Sequence, residues 1–540
     1  MTIKNGILAL CIILTLTACW HKNAIEPEPT GNHSVGATPP ATMSVMKRAA
    51  MASLAQPRPG SGFNTEKYKH IDENGYKDPQ VSPLSTFSID VDTASYSNVR
   101  RMLRENQLPQ PGAVRIEELI NYFNYDYPQP EGDDPVAIDH ELTVCPWNTD
   151  HLLLQIGLQA KAIDMKDAPQ SNLVFLIDVS GSMYGDLPLV KSALKLLVQQ
   201  MNETDHISIV VYAGAAGVIL SPTPASDLQT ILGALDSLEA GGATAGSEGI
   251  ELAYELAEKN LIKGGNNRII LATDGDFNVG LTSEDALVRL IEEKRDEGIY
   301  LTVLGFGMLN YDDVTAEALA DHGNGNYAYI DSLLEAKKVL VNQIGGTLLT
   351  VAKDVKLQVE FNPLQVKEYR LIGYENRLMA AEDFDNDQKD AGEMGASHTV
   401  TALYEIIPAD GSAAASTLRY QKSTPSAAAE NGELALVKYR YKKPDEETSR
   451  LLSFTVPAQA ARFSTSSNNQ RFAAAVASWG MMLRQSKYTG NTDWEWIIET
   501  ARSAKGDDPN GDRAEFIKLV ELSSMLGPMR KVRLLDTQPL

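Results

Sequence analysis

Short apolar runs alternate with amphipathic segments through the middle of the chain, from about residue 172 to residue 345. The apolar runs predict buried strands at 173–177, 207–212, 269–272, 300–306 and 327–330. Between them, apolar residues recur at helical spacing, as in 249–259 and 284–295, and predict helices. Strands that alternate with helices imply a mostly parallel sheet covered on both faces, so we expect an α/β, Rossmann-like domain.

Segments with a different pattern flank this domain. Two strand-like runs lie before it, within 140–158. After it, β-like runs separated by polar loops lie at 355–361, 368–374, 399–407, 434–441 and 451–456. The most economical arrangement is one β-sandwich built from both flanks, with the α/β domain inserted in it.

The ends of the ordered part of the chain are expected to be partly helical. Residues 86–92 predict a strand, and helical patterns follow it at 94–106 and 116–123 and recur near the C-terminus at 472–484, 494–504 and 513–526. The predicted boundaries are a signal peptide at 1–19, a flexible linker at 20–62, an N-terminal segment at 63–135, sandwich strands at 136–168, the α/β domain at 169–346, the rest of the sandwich at 347–460 and a helical region at 461–540.

Three polar loops follow predicted strands of the α/β domain. Asp178, Ser180 and Ser182 stand at alternate positions after the first strand, Thr244 ends a glycine-rich turn, and Asp274 follows another strand. Open α/β sheets bind ligands at the carboxyl ends of their strands. Oxygen-only ligands suit a hard divalent cation such as Mg²⁺. The alternative is that Asp178 and Ser180 merely cap the following helix.

These loops resemble the metal-ion-dependent adhesion site (MIDAS) of von Willebrand factor type A (VWA) domains, in which Asp-x-Ser-x-Ser, Thr and Asp occur in this order. The resemblance implies one metal site with Asp178, Ser180, Ser182, Thr244 and Asp274 as ligands. The expected metal is Mg²⁺, or else Mn²⁺ or Ca²⁺. In the family an Asp or Glu of a protein partner fills the open coordination position, so a binding module rather than an enzyme is expected.

The likeness extends beyond the VWA domain. The N-terminal segment and the stretches 383–393 and 398–405 are similar to regions of the YfbK-like family of bacterial VWA lipoproteins. The chain is therefore identified from its sequence as a member of that family, with an N-terminal segment and a C-terminal β/α region around the VWA domain.

The first twenty residues predict export and lipid attachment. Lys4 is followed by an apolar stretch at 7–14 and by Leu-Thr-Ala before Cys19, a pattern too short for a membrane-spanning helix. The ending resembles a bacterial lipobox, which implies that Cys19 carries the lipid, palmitate included. In enterobacterial lipoproteins, Asp directly after the lipidated cysteine is the signal for retention in the inner membrane. Because Trp20 follows Cys19 here, the outer membrane facing the periplasm is the expected location in a host of that type. Of the other two cysteines, Cys11 lies in the signal and Cys145 remains as a packed thiol.

Charge narrows the possible partners. The formal net charge of −23 argues against nucleic acid, or an anionic membrane surface, as the main partner. An unidentified protein that presents Asp or Glu to the metal is the expected partner.

Two other acidic motifs carry alternative hypotheses. Asp90-Val91-Asp92-Thr93 matches the nucleophile loop of haloacid-dehalogenase-type phosphatases, with Asp90 as nucleophile and Asp92 as acid and base. Asp383, Asp385 and Asp387 have calcium-loop spacing but lack the glycine and the final glutamate of an EF-hand. A structural scaffold whose metal only steadies the loops is a third reading.

The last helix of the VWA domain is expected at 332–341, from where the chain runs through Gly345 and Gly346 into the first returning sandwich strand. Such a helix is placed to carry a shift from the metal loops into the sandwich.

Overall fold

The computed structural model describes residues 66–242, 246–275, 284–308, 311–409 and 426–527. The predicted signal, the linker, Cys19 and Thr244 lie outside these ranges. Within them, no helix has the length and apolar character needed to cross a membrane.

Secondary structure follows the chain in the expected order. The described strands are β1 (Leu84–Ser88), β2 (Val136–Val144), β3 (Leu152–Ala160), β4 (Ser171–Asp178), β5 (His206–Tyr212), β6 (Ala216–Pro224), β7 (Asn266–Thr273), β8 (Ile299–Gly305), β9 (Tyr327–Tyr329), β10 (Thr350–Phe361), β11 (Val366–Ile372), β12 (Gly392–Gly395), β13 (Thr399–Pro408), β14 (Glu433–Lys442) and β15 (Arg450–Pro457). The described α-helices are α1 (Ala94–Arg104), α2 (Ile116–Asn121), α3 (Leu187–Val198), α4 (Leu228–Asp236), α5 (Gly246–Lys259), α6 (Glu284–Asp296), α7 (Asp313–His322), α8 (Leu333–Lys337), α9 (Ile344–Leu348), α10 (Asn468–Leu483), α11 (Trp494–Ser503) and α12 (Asp512–Leu526).

The α/β domain is built on a six-stranded sheet with the order β6-β5-β4-β7-β8-β9. Neighbouring strands are parallel except for the β5–β6 pair. Alternate residues of β4 face opposite layers: Phe175 and Ile177 share a core with α3, whereas Val174 and Leu176 share one with α5. The chain moves to opposite sides of β4 to form β5 and β7, so the strand order reverses beside β4, where such sheets bind ligands.

Both flanks of the α/β domain build the expected sandwich. One sheet has the order β11-β13-β3-β2, and the other has β1-β10-β14-β15 with β12 beside β10. Aromatic side chains join the two sheets: Phe361 of β10 stacks on Tyr369 of β11, with ring centroids 4.0 Å apart, and contacts Tyr404 of β13 edge-on. The α/β domain inserted in a sandwich, with helices at the C-terminus, is thus confirmed as the fold.

A helical layer covers the other face of the first sheet. Helices α1 and α2 share a core with α10, α11 and α12, centred on Tyr96, Trp479 and Phe516. Strand β3 is buried on both faces for this reason. At Gly157 in β3, the ring of Tyr127 lies so close to the backbone that a Cβ atom would overlap it. The N-terminal segment and the C-terminal helices therefore form one layer.

Three predicted details differ from the structure. Strands β6 and β12 were not expected: β6 is a largely exposed edge strand, and β12 is only four residues long, so neither has a clear apolar pattern. The helix expected at 332–341 is divided into α8 and a π-helical turn at Lys338–Asn342.

Buried ion pairs fasten this divided helix to the helical layer. Arg100 of α1 contacts Asp331 at 2.5 Å and Glu335 of α8 at 2.7 Å. Lys338 donates to the backbone oxygen of Tyr122 at 2.8 Å and pairs with Asp512 of α12 at 3.2 Å. The end of the VWA domain is therefore held by residues from both ends of the chain.

Stability should depend on pH through Glu117 of α2. Burial is the main cause that raises the pKa of Glu117 from 4.5 to about 7, and its Oε2 has no hydrogen-bond donor within the described part. Because its pKa is higher in the folded state, protonated Glu117 contributes to folding stability below pH 4.5, and this contribution is lost as the pH rises through 7. The free energy of unfolding of Glu117→Gln should therefore equal that of the parent chain near pH 4.5. At about pH 8 it should be higher by about 1–3 kcal/mol, or about 1–3 °C in Tm.

Thermal unfolding at both pH values checks this, with the exposed Glu499→Gln of α11 as the control. An equal effect of Glu117→Gln at both pH values would contradict the assignment.

Candidate metal centre

The first loop of the site begins where β4 ends. Asp178 is the last residue of the strand and is fully buried, and its Oδ1 accepts a hydrogen bond from the backbone of Ser180 at 2.8 Å. The hydroxyls of Ser180 and Ser182 lie 3.0 Å apart. Ser180 is buried, whereas Ser182 is exposed in the short 3₁₀ turn Gly181–Tyr184. One carboxylate and two hydroxyls thus converge on an opening at the sheet edge.

One oxygen of the Asp178 carboxylate, the buried Oδ2, has no hydrogen-bond partner of standard geometry among the described residues. Burial raises the pKa of Asp178 to about 6, with a further contribution from Asp274, while Ser180 and the nearby Tyr212 hydroxyl oppose the shift. Since desolvation disfavours a lone carboxylate, a cation here would be stabilised by a charge already in place.

The glycine-rich second loop packs directly on the first. The backbone of Gly241 donates to the oxygen of Val179 at 2.7 Å, and Gly181 donates to the oxygen of Gly242 at 3.1 Å. Gly242 has a φ of +93°, which glycine adopts without strain. Thr244, two residues later, lies outside the described residues, so only the approach of its loop to Asp178 is seen.

The third loop brings Asp274 to the same edge. Strands β4 and β7 are paired with Ile177 opposite Ala272, so that Asp178 and Asp274 follow adjacent strand ends. A Cβ atom at Gly307 would lie 3.0 Å from Cβ of Asp274 and 3.6 Å from Oδ2 of Asp186. The space left by Gly307 therefore admits two carboxylates at once.

Asp186 is a member of the site that sequence reasoning missed. It stands at the start of α3, where an aspartate is usually read as a helix cap, but its side chain caps nothing there. Burial raises the pKa of Asp186, and the charge of Asp274 adds to the shift. In the sequence, only the position of Asp186 four residues after Ser182 pointed to the metal site. An aspartate at that position is explained equally well as a helix cap.

The donor set fits a hard divalent cation. The hydroxyls of Ser180 and Ser182 lie beside the Asp178 carboxylate, and the charge of Asp274 contributes to the raised pKa of both Asp178 and Asp186. Hydroxyl and carboxylate oxygens are the ligands that Mg²⁺ and Ca²⁺ prefer. Tyr184 (79% exposed) and Met308 (52% exposed) flank the opening with apolar surface.

The residues of the phosphatase hypothesis are occupied differently. Asp90 and Asp92 are buried, and Arg377 pairs with them at 3.1 Å and 3.0 Å. The other oxygen of Asp92 accepts a hydrogen bond from the backbone of Tyr327 at 2.7 Å. This arrangement fixes β9 against the N-terminal segment, which is a structural role and disfavours Asp90 as an accessible nucleophile.

The acidic stretch with calcium-loop spacing is also engaged in protein contacts. Asp385 pairs with Arg440, and Asp387 accepts hydrogen bonds from Ser449. Residues Ala381–Asp385 form a 3₁₀ turn rather than a calcium-binding loop. Cys145 is fully buried, as a packed thiol would be.

Comparisons with known proteins agree with this architecture. The model described as "von Willebrand factor type A domain" matches residues 172–343, "von Willebrand factor" matches 62–155, and "Uncharacterized protein YfbK, C-terminal" matches 346–526. VWA domains mediate protein–protein interactions and often bind a divalent metal at a MIDAS. The acidic side chains at the edge of the sheet thus stand in a domain type in which such a site is common.

Related proteins were found over most of the chain and over parts of it. A Synechocystis protein, sll0103, is 32% identical over 34% of this chain and 43% of its own length. The solved structure of a von Willebrand factor type A protein from Catenulispora acidiphila covers 74% of this chain and 98% of its own, at 14% identity and a TM-score of 0.40. The protein YfbK of Escherichia coli K12 is 45% identical over 469 residues, which cover 85% of this chain and 81% of YfbK. The chain therefore belongs to the YfbK family, in which a VWA domain is joined to the YfbK C-terminal region.

Proposed function

We propose that this protein is a lipid-anchored envelope protein whose VWA domain uses a bound divalent cation to capture an acidic side chain of a protein partner. The observation that carries the proposal is the buried Asp178 carboxylate, whose Oδ2 has no hydrogen-bond partner among the described residues and which lies beside the hydroxyls of Ser180 and Ser182. We infer Mg²⁺ or Mn²⁺ before Ca²⁺, because hydroxyl-rich ligands suit a compact octahedral site that keeps waters.

The chain's own residues would do three things. Asp178, Ser180, Ser182, Asp274 and Thr244 would hold the cation, and the nearby charge of Asp186 would add to the attraction for it. When bound, the cation supplies a coordination position that a carboxylate of the partner fills. The exposed Tyr184 and Met308 would contact the partner around that carboxylate. No step of bond breaking is needed, so the proposed role is binding rather than catalysis.

The location is part of the same proposal. The lipobox-like ending at Cys19 would attach the protein to a membrane, and Trp20 favours the outer membrane, facing the periplasm. The linker at 20–62 is long enough, and rich enough in Pro, Ala and Ser, to hold the folded part away from the lipid surface.

The affinity for the metal should depend strongly on the side chains of the first loop. Calorimetry on the full chain is expected to show Mg²⁺ or Mn²⁺ binding that Asp178→Ala and Ser180→Ala weaken at least tenfold, or about 1.4 kcal/mol. Asp186→Asn should also weaken it, because one nearby negative charge is lost. Ser192→Ala, on the exposed side of α3, is the matched control and should leave the affinity unchanged.

Binding of equal strength in the parent chain, Asp178→Ala and Ser180→Ala, with circular dichroism unchanged, would mean that the metal is held elsewhere. Absence of any Mg²⁺ or Mn²⁺ binding would remove the basis of the proposal.

Partner capture should need both the cation and an acid. Peptides selected from a random display library on the immobilised full chain in Mg²⁺ are expected to share an Asp or Glu. Replacing that residue by its amide, or adding a chelator, should lower the affinity at least tenfold. Tyr184→Ala should weaken the same peptides without changing metal affinity, since Tyr184 lies at the rim rather than among the ligands.

Selected peptides that lack an acidic residue, or that bind equally in chelator, would instead support the scaffold alternative, in which the metal only steadies the loops.

Lipid attachment is tested separately at Cys19. Growth with a clickable fatty acid should label the parent chain, whereas Cys19→Ser should lose the label, because the thiol is the site of the thioether link. Two or more acyl chains are needed for stable anchoring, so the variant should also leave the membrane fraction. Cys11→Ser is the matched control and should keep the label. Retained label in Cys19→Ser would refute the assignment.

A further inference from the structure

A second group of carboxylates lies away from the metal centre, in the sandwich. Asp354 of β10, Asp390 and Glu393 of β12 each place a carboxylate oxygen within 4.8 Å of the other two. The group adjoins the VWA domain, because Asp390 pairs with Arg295 of α6 at 2.5 Å. It faces the amino-terminal ends of β7 and β8, the edge opposite to Asp178 and Asp274.

Glu393 is the member that protein contacts leave unsatisfied. Glu393 is only 9% exposed, and its Oε1 is buried with no hydrogen-bond partner anywhere in the described ranges. Burial raises the pKa of Glu393 well above its usual value, and the charges of Asp390 and Asp354 add to the effect. A buried carboxylate in this position must hold a proton or face a cation.

The other two carboxylates already have one basic partner each. Lys442 of β14 contacts Asp354 at 2.7 Å, and Arg295 contacts Asp390. Arg268 of β7 is buried near Glu393 and interacts with its charge, but it forms no direct ion pair with Glu393 in the described structure and directs its Nη1 to the hydroxyl of Thr302 at 2.8 Å. The cluster therefore keeps one carboxylate more than its direct ion pairs compensate.

Backbone geometry holds the three groups together. The pairing of β10 with both β12 and β14 shifts register around Asp354, so the strand bulges there. The Oδ1 of Asp354 accepts a hydrogen bond from the backbone of Ala391 at 3.3 Å, which draws the turn between Asp390 and Glu393 onto the bulge. Asp354 and Glu393 are thus held by the backbone of the bulge and by burial, and the more exposed Asp390 is held by its pair with Arg295.

We propose that Asp354, Asp390 and Glu393 form a second cation site, for Ca²⁺, at the junction of the sandwich and the VWA domain. Oxygens within 4.8 Å of one another fit around an ion at Ca–O distances of about 2.3–2.6 Å. Ca²⁺ suits the site better than Mg²⁺, because it accepts bidentate carboxylates and irregular geometry. The ion would coordinate the Glu393 oxygen that has no hydrogen-bond partner in the described ranges, and would tie β12 to the β10 bulge, with Lys442 and Arg295 as outer partners.

The site is tested in a background where the VWA metal centre is disabled, so that the two sites fail independently. Full-length Asp178→Ala is titrated with Ca²⁺ by calorimetry, and its thermal unfolding is followed with Ca²⁺ and with chelator. We expect one equivalent of Ca²⁺ to bind and to raise the Tm, because a ligand of the folded state stabilises it. Adding Glu393→Gln should lower the Ca²⁺ affinity at least tenfold and remove the Tm shift.

Controls separate this outcome from a general loss of charge or fold. Glu447→Gln, an exposed carboxylate on the same side of the sandwich that pairs with Lys353, should leave Ca²⁺ binding unchanged. Asp390→Asn serves as a second site variant if Glu393→Gln does not unfold cooperatively, and it should also weaken Ca²⁺. Absence of Ca²⁺ binding to cooperatively folded Asp178→Ala, or unchanged binding after Glu393→Gln or Asp390→Asn, would overturn the proposal and assign a proton to Glu393.

Discussion

Buried guanidinium groups hold the VWA domain onto the rest of the molecule. Arg115 pairs with Asp313 of α7 at 2.5 Å, and Arg377 contacts Asp321 of the same helix at 2.8 Å while also binding the N-terminal segment. Arg100 does the same at the other end of the domain, through Asp331. Removing one partner of a buried ion pair costs about 3–5 kcal/mol, because the other charge stays uncompensated.

These contacts explain why an inserted domain can be fixed in place. Two chain connections alone would leave the domain free to rotate, since interfaces between domains are often small and polar. Here the N-terminal segment is bound between α7, the divided last helix and the C-terminal helices. A shift of the last helix would have to break the Glu335 contacts with Arg100 and Tyr122, so any coupling to the metal loops passes through a network with a definite energetic cost.

Two sets of buried carboxylates in the described structure differ in their partners. Those at the junction, such as Asp90 and Asp92, are buried and ion-paired with Arg377. Those at Asp178 and Glu393 are buried with an oxygen that lacks a hydrogen bond within the described structure. A desolvated carboxylate oxygen without a hydrogen-bond donor is costly, and such groups occur often at binding sites. The two sets therefore differ in the groups that contact their oxygens, not in the type of side chain.

Sequence alone determined the alternation of strands and helices and the sandwich built from both flanks, because hydrophobic periodicity is a local property. The metal ligands remain a prediction from the resemblance to the MIDAS. Sequence could not find β6 or β12, whose burial is set by neighbouring strands, nor the break of the last helix, which follows from pairing with distant segments. Asp90 and Asp92 have the same local pattern as a catalytic loop, and their pairing with Arg377, almost three hundred residues away, is visible only in the tertiary structure. The surroundings of Asp186 and Glu393 are likewise set by tertiary structure, since the properties of a carboxylate depend on which charges the fold brings next to it.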